Sequence, residues 1–161
     1  MVTPSSLSSS STYPWKYDIF LSFRSEDTRK NFTDHLYAAL VGSKINTFKD
    51  DKNLERGKDI APEILKAIGE SWGSIIVFSK GYASSSWCLD ELAEIVKQRK
   101  EREHQVFPIF YYVEAFDLKH QREKAEKDVD MHEKENKDQT ERWRDALSEA
   151  VGINGYTLKD Q

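Results

Sequence analysis

Two side chains in the stretch Ser84-Ser85-Ser86-Trp87-Cys88-Leu89-Asp90-Glu91-Leu92-Ala93-Glu94-Ile95-Val96 have the types and spacing for chemistry. Trp87 and Glu91 stand four positions apart, so on a helix they share a face. The helix is predicted by Leu89, Leu92, Ile95 and Val96 at helical spacing, with serines ahead of them that can cap its start. By that pattern, the Trp87–Glu91 face is not the one turned to the core. An aromatic plane beside a carboxylate could hold a nucleotide ring and act on its sugar. The same pair could be structural, with a tryptophan anchor and a glutamate favoured by the positive end of the helix dipole.

The elements that must position this pair are readable along the chain. A Ser-rich leader with Pro4 and Pro14 occupies residues 1–15 and reads as disordered, because it has too little to bury. Tyr17-Asp18-Ile19-Phe20-Leu21-Ser22-Phe23 is apolar at nearly every position, as a strand covered on both faces would be. The polar loop Arg24 to Arg29 leads to a helix with Phe32, Leu36, Ala39 and Leu40 on its core face. Ile45–Phe48 is a short strand, followed by a charged loop and by a helix with Ile60, Ile64, Leu65 and Ile68 inward. Ser74–Ser79 is the clearest buried strand. Val106–Val113 is another, although Pro108 demotes it toward an edge or a bulge. Residues 114–137 are a charged, solvated helical segment, and Thr140–Val151 is a helix with Trp143, Ala146, Leu147 and Ala150 on one face. Tyr156-Thr157-Leu158 closes the series as a short fifth strand. Alternating strands and helices predict an open parallel sheet with helices on both faces. In such sheets ligands bind outside the carboxyl ends of the strands. The loops at Arg24, Glu55 and Trp87 all follow strands, so they should gather there.

Composition narrows the function. The 161 residues suit one domain, and a net charge of −4 gives no electrostatic footprint for nucleic acid. The lone Cys88 permits no internal disulfide and fits a reducing compartment. No signal peptide, membrane span or lipidation motif is apparent, so a cytoplasmic protein, or a nuclear one, is expected. No Gly-rich dinucleotide turn follows the first strand, and no P-loop or phospho-receiver acid cluster is present. The four histidines show no ligand spacing, so no metal is expected.

The ordered motifs resemble those of plant Toll/interleukin-1 receptor (TIR) domains. Tyr17 to Arg29 is similar to their first box, Asp50-Asp51-Lys52-Asn53-Leu54-Glu55-Arg56-Gly57 to their BB loop, Ser86–Leu92 to their third box, and Arg142–Leu147 to their late helix. The resemblance implies a flavodoxin-like five-stranded parallel sheet over 16–161. It also implies the N-terminal domain of an intracellular receptor with nucleotide-binding and leucine-rich-repeat modules. Such domains signal by self-association with other TIR domains, and many cleave NAD+ or NADP+ at the nicotinamide–ribose bond. The resemblance makes Glu91 the catalytic carboxylate and Trp87 the stacking aromatic. It puts Phe23 and Arg24 at the substrate mouth, Ser25 beside them, and Glu55 near the site. Asp34 and His35 fall at the family's Ser-His pair on a self-association surface. The implied enzyme is a weak nucleosidase that depends on oligomerisation.

The chain departs from the family at three places. Ser25 replaces a glycine and is expected to narrow the approach to the site. Glu114-Ala115-Phe116 replaces an Asp-Pro-Ser motif, so the following loop and helix should be reshaped. The chain ends at Gln161, before the family's last amphipathic helix, which predicts apolar surface left on one sheet face.

Overall fold

The computed structural model describes residues 13–28, 32–50, 60–128 and 137–159. The leader up to residue 12 and the loop 51–59, with Glu55, lie outside the described residues. The strands are β1 (Tyr17–Ser22), β2 (Thr47–Lys49), β3 (Ser71–Phe78), β4 (Gln105–Tyr111) and β5 (Tyr156–Leu158). The helices are α1 (Ser25–Thr28), α2 (Asp34–Gly42), α3 (Pro62–Gly69), α4 (Ser86–Arg102), α5 (Ala115–Asp128) and α6 (Lys137–Val151), with a 3-10 turn at Tyr82–Ser84.

All strand pairings are parallel, in the order β2-β1-β3-β4-β5. The chain steps outward from β1 to β2 and then back past β1 to β3. The order therefore reverses between β1 and β3, which opens a crevice at their carboxyl ends. Ser22 ends β1 and Phe78 ends β3, so the segments that follow them form the two lips.

The main core lies on one face of the sheet. Phe20, Ile76, Phe78 and Phe110 pack there against Ile64 and Ile68 of α3, Leu89, Leu92 and Ile95 of α4, and Trp143 and Leu147 of α6. The other face is thinner. Leu21, Phe23 and Val77 are buried there under the half-buried Phe32, Leu36 and Tyr37. Contrary to the pattern in the sequence, α2 buries none of its residues, and Ala39 is exposed. Further along this face Trp72 stacks on Phe107 at 6.0 Å, and Phe107 and Tyr156 stay 41% and 78% exposed.

Two expectations are corrected. Pro108 does not push β4 to an edge, because β4 pairs with β3 through Ile76↔Pro108 and with β5 from Ile109 onward. The proline, which has no N–H to give, falls just before the β5 register begins, and Gly155 passes so close that a Cβ there would fall 2.2 Å from the Pro108 carbonyl oxygen. The polar stretch after Arg24 is not a loop throughout, since Ser25–Thr28 forms one helical turn.

At the amino end of the sheet His104 is buried between β3 and β4. Its Nδ1–H donates to the Ser71 carbonyl at 3.1 Å, because a carbonyl can only accept. Nε2 is then the acceptor for the Ser74 hydroxyl at 2.8 Å. Burial, more than any other cause, lowers the imidazole from 6.5 to about 4. The unfolded chain therefore binds a proton near pH 6.5 that the folded chain refuses until about pH 4. This stability is present above pH 6.5 and is lost as pH falls toward 4, up to about 3 kcal/mol. Urea unfolding at pH 7.5 and 4.5 should show that loss. His104→Gln should shrink it.

Candidate functional site

Glu91 lies on the first turns of α4, directly under the crevice. Ser85 starts the helix, its Oγ accepting from the Cys88 N–H at 3.2 Å. Helical spacing then carries Trp87, Cys88 and Glu91 inward along with Leu89 and Leu92. The expectation that Trp87 and Glu91 face away from the core is overturned. Trp87 is 5% and Glu91 0% exposed. The reason is tertiary: polar partners on β1, β2 and the 3-10 turn converge on this part of the helix, which makes burial of the carboxyl tolerable.

Those partners can be traced atom by atom. The Ser22 hydroxyl donates to Glu91 Oε1 at 2.7 Å. With that hydrogen committed, the 2.8 Å contact between Ser22 Oγ and the Tyr82 phenol needs Tyr82 as donor. The Tyr82 hydrogen is shared with the Cys88 carbonyl at 3.2 Å. A hydroxyl relay thus runs Tyr82 to Ser22 to Glu91. On the other side Asp50, just past β2 and 2% exposed, accepts the Trp87 indole N–H through Oδ2 at 2.6 Å. Its carboxyl also lies within hydrogen-bonding reach of Glu91.

Two adjoining buried carboxyl groups cannot both ionise cheaply. Burial raises the Glu91 carboxyl well above its ordinary value, and the bond to Asp50 and its charge push the same way. Ser22 and Trp87 oppose this less strongly. Glu91 Oε2 is buried with no hydrogen-bond partner among the described residues, an added cost for a charge on this carboxyl. Burial and the neighbouring carboxyl thus favour the neutral form of Glu91. Burial also raises the Cys88 thiol and the Tyr82 phenol, so neither is a nucleophile at neutral pH.

The remaining residues expected at the site divide into three groups. Phe23 is fully buried on the thinner face, and its carbonyl accepts from Cys88 Sγ at 3.6 Å, so it presents no ring to a ligand. Arg24 sits at the lip of the crevice and pairs with Asp27 at 2.6 Å and Glu26 at 3.0 Å. Ser25 is buried at the start of α1 and has no positive φ, so its backbone does not call for a glycine. Asp34 and His35 are exposed on α2, and Asp34 pairs with Lys49 at 3.6 Å. The altered motif after β4 simply opens α5, where Asp117 Oδ2 accepts the Glu114 N–H at 3.1 Å.

Sequence reasoning missed Ser22, Asp50 and Tyr82 as members of the site. The available signal was the placing of Ser22 and Asp50: each is a polar residue at the carboxyl end of a strand, where a parallel sheet puts its ligand end.

The chain is similar to proteins of known kind. Residues 16–161 match the TIR domain family. Disease resistance protein RPV1 of Vitis rotundifolia is 53% identical over 144 residues, and TMV resistance protein N of Nicotiana glutinosa is 49% identical over 151. These matches cover 89% and 92% of this chain but 10% and 13% of the relatives, so the chain spans a small part of their length. The TIR domains of an activated Roq1 resistosome that directly recognises the pathogen effector XopQ are 44% identical, with a TM-score of 0.77. That likeness covers 89% of this chain and 88% of the other.

Proposed function

The chain belongs to the TIR domain family, and from that premise we propose that it is an immune-signalling domain that self-associates and hydrolyses NAD+ or NADP+ at the nicotinamide–ribose bond. The observation that carries the reading is the convergence of Glu91, Asp50, Ser22 and Trp87 at the strand-order reversal between β1 and β3. The disease resistance relatives support the signalling part, and the resistosome TIR domains support partnership with other TIR domains. The proposed setting is the cytoplasm; none of the described helices is long and apolar enough to cross a membrane.

The chemistry follows from the substrate. Nicotinamide leaves from a pyridinium that is already positive, so it departs neutral and needs no acid. The ribose is left with oxocarbenium-like charge, as in glycoside hydrolysis. Water adds to that cation and releases a proton to solvent; one carboxylate suffices, and Glu91 faces the charge and the ribose hydroxyls. It must first lose its proton and gain access to substrate. Trp87 must let go of Asp50 to offer its ring to a base. Stacking of a base on such a ring is worth about 1–3 kcal/mol. Ser22 and Tyr82 hold the carboxylate in place as the charge develops.

Self-association supplies the opening step in this reading. Nicotinamide release from NAD+ should therefore rise more steeply than in proportion to protein concentration. A rate strictly proportional to concentration, with the protein monomeric in sedimentation, would sink the dependence on association.

A second reading is favoured by the full burial of Glu91. On it the carboxyl cluster is structural and the domain is a non-enzymatic TIR–TIR interaction module. It predicts no turnover even in enforced oligomers, and loss of signalling with His35→Ala but not with Glu91→Gln.

A further inference from the structure

Beside the carboxyl cluster lies an open cleft of about 410 Å³ lined by Arg24, Asp27, Lys80, Gly81, Gln121 and Lys124, among others. We propose that this cleft is the phosphate subsite of the domain and takes a phosphate ester of the dinucleotide, with Lys80 and Lys124 as binding residues. The proposal rests on the nucleosidase reading above.

Charge is the first argument. These lining residues carry three cations against one carboxylate, a local excess of +2, in a chain whose net charge is −4. A concave site of one sign focuses potential on an incoming ion. Neither Lys80 nor Lys124 has an ion-pair partner among the described residues, and both are exposed. The single acid is already engaged. Asp27 Oδ1 accepts from Arg24 Nη1 at 2.6 Å. Its Oδ2 accepts from Ser79 Oγ at 2.6 Å and from the Gly81 N–H at 2.8 Å.

The second argument is that the floor is built. Those bonds tie the segment after β1 to the segment after β3, across the lips of the crevice. Arg24 lies against Gly81 so closely that a Cβ there would stand 2.8 Å from its Nη1. Glycine is what allows the guanidinium to lie at that lip. On the α5 wall, Gln121 Oε1 is buried with no donor among the described residues. Rotation of its soft terminal torsion would turn that oxygen toward a ligand hydroxyl.

The third argument is position. Arg24 follows Ser22 by two residues and Gly81 immediately precedes Tyr82, and Ser22 and Tyr82 form the hydroxyl relay to Glu91. A phosphate held here would anchor the part of the substrate that does not react, and binding energy of that kind helps to position the reacting bond. The wall carrying Gln121 and Lys124 is α5, which opens on the altered Glu114-Ala115-Phe116 motif.

The test is calorimetric titration in the Glu91→Gln background, where turnover does not interfere. NAD+, NADP+ and nicotinamide riboside are titrated into that protein and into the same protein carrying Lys80→Gln with Lys124→Gln. The double change should weaken NADP+ binding roughly tenfold or more, the loss expected for two charge-assisted contacts that are partly open to solvent. Nicotinamide riboside, which lacks a phosphate, should be unaffected. An equal loss for NAD+ assigns the cleft to the pyrophosphate, and a loss confined to NADP+ assigns it to the 2′-phosphate. Gly81→Ala, which displaces Arg24 without touching either lysine, should weaken the same ligands several-fold. Unchanged dinucleotide affinity in the double variant overturns the subsite and leaves the nucleosidase reading standing. Dinucleotides that fail to bind the protein with both lysines intact overturn the two together.

Discussion

Glu91→Gln should abolish nicotinamide release while making the domain more stable at neutral and alkaline pH. The two effects have one cause. Glutamine keeps the shape of the side chain: its Oε1 can still accept from Ser22, and its amide can donate to Asp50. It has no charge to set against the ribose cation. Loss of one preorganised electrostatic contact of this kind lowers kcat by roughly 10²–10³-fold. The stability change follows from linkage. The folded-state pKa of Glu91 is raised above the ordinary value of 4.5. The stability tied to its proton is complete below pH 4.5 and is lost as pH climbs through the folded value. Glutamine does not titrate, so the gain in melting temperature over the parent should grow with pH. Burial raises Tyr82 and Cys88 as well, and the Glu91 charge adds to both, so the glutamine variant also relieves them. A variant no more stable than the parent at pH 8 would show that the carboxyl is not held protonated.

Asp50→Asn should shift the pH dependence of turnover. With asparagine at 50 the Trp87 indole can keep an oxygen acceptor, as it now has at 2.6 Å, and Glu91 can gain an amide donor. The negative neighbour that raises Glu91 is gone. The Glu91 pKa must fall, so the acid limb of kcat/KM moves to lower pH and more of the enzyme is ionised at neutrality. The expected rate at pH 6 is several-fold above that of the parent, because the ionised fraction rises in proportion as the carboxyl binds its proton less tightly, for as long as it is mostly protonated. An unmoved acid limb would separate Asp50 from the titration of Glu91. A uniform loss at every pH would instead give Asp50 a part in holding Trp87.

The fold was legible because its signals are local. Dense apolar runs at Ile19–Leu21 and Ile75–Phe78 mark strands buried on both faces, and their alternation with helical periods fixes a parallel sheet. Pro108 misled because its cost depends on neighbours, and the close approach of Gly155 is invisible in the residues around it. The α2 face misled for a related reason. Its apolar spacing is real, but the residues available to cover that sheet face are few, and the helix ends up half-covering Leu21 and Val77. At the site, the Trp87–Glu91 pair could be picked out, but not its environment. Asp50 is 37 residues from Trp87 and Ser22 is 69 from Glu91, so only the folded sheet brings them together. Burial inverted the expected picture: the helix face read as solvent-facing is where the sheet delivers its polar partners. The same convergence explains why a glutamate can be buried at all. Its carboxyl is favoured in the neutral form and accepts the Ser22 hydroxyl.

Everything proposed for the site turns on whether this carboxyl cluster cleaves the nicotinamide–ribose bond. That is measured by a time course of nicotinamide released from NAD+ by the domain fused to an oligomerising scaffold, run beside the Glu91→Gln fusion at equal concentration. Steady release is expected from the first, and at most about a hundredth of that rate from the second. Equal release by both, or none by the first, would contradict the role given to Glu91.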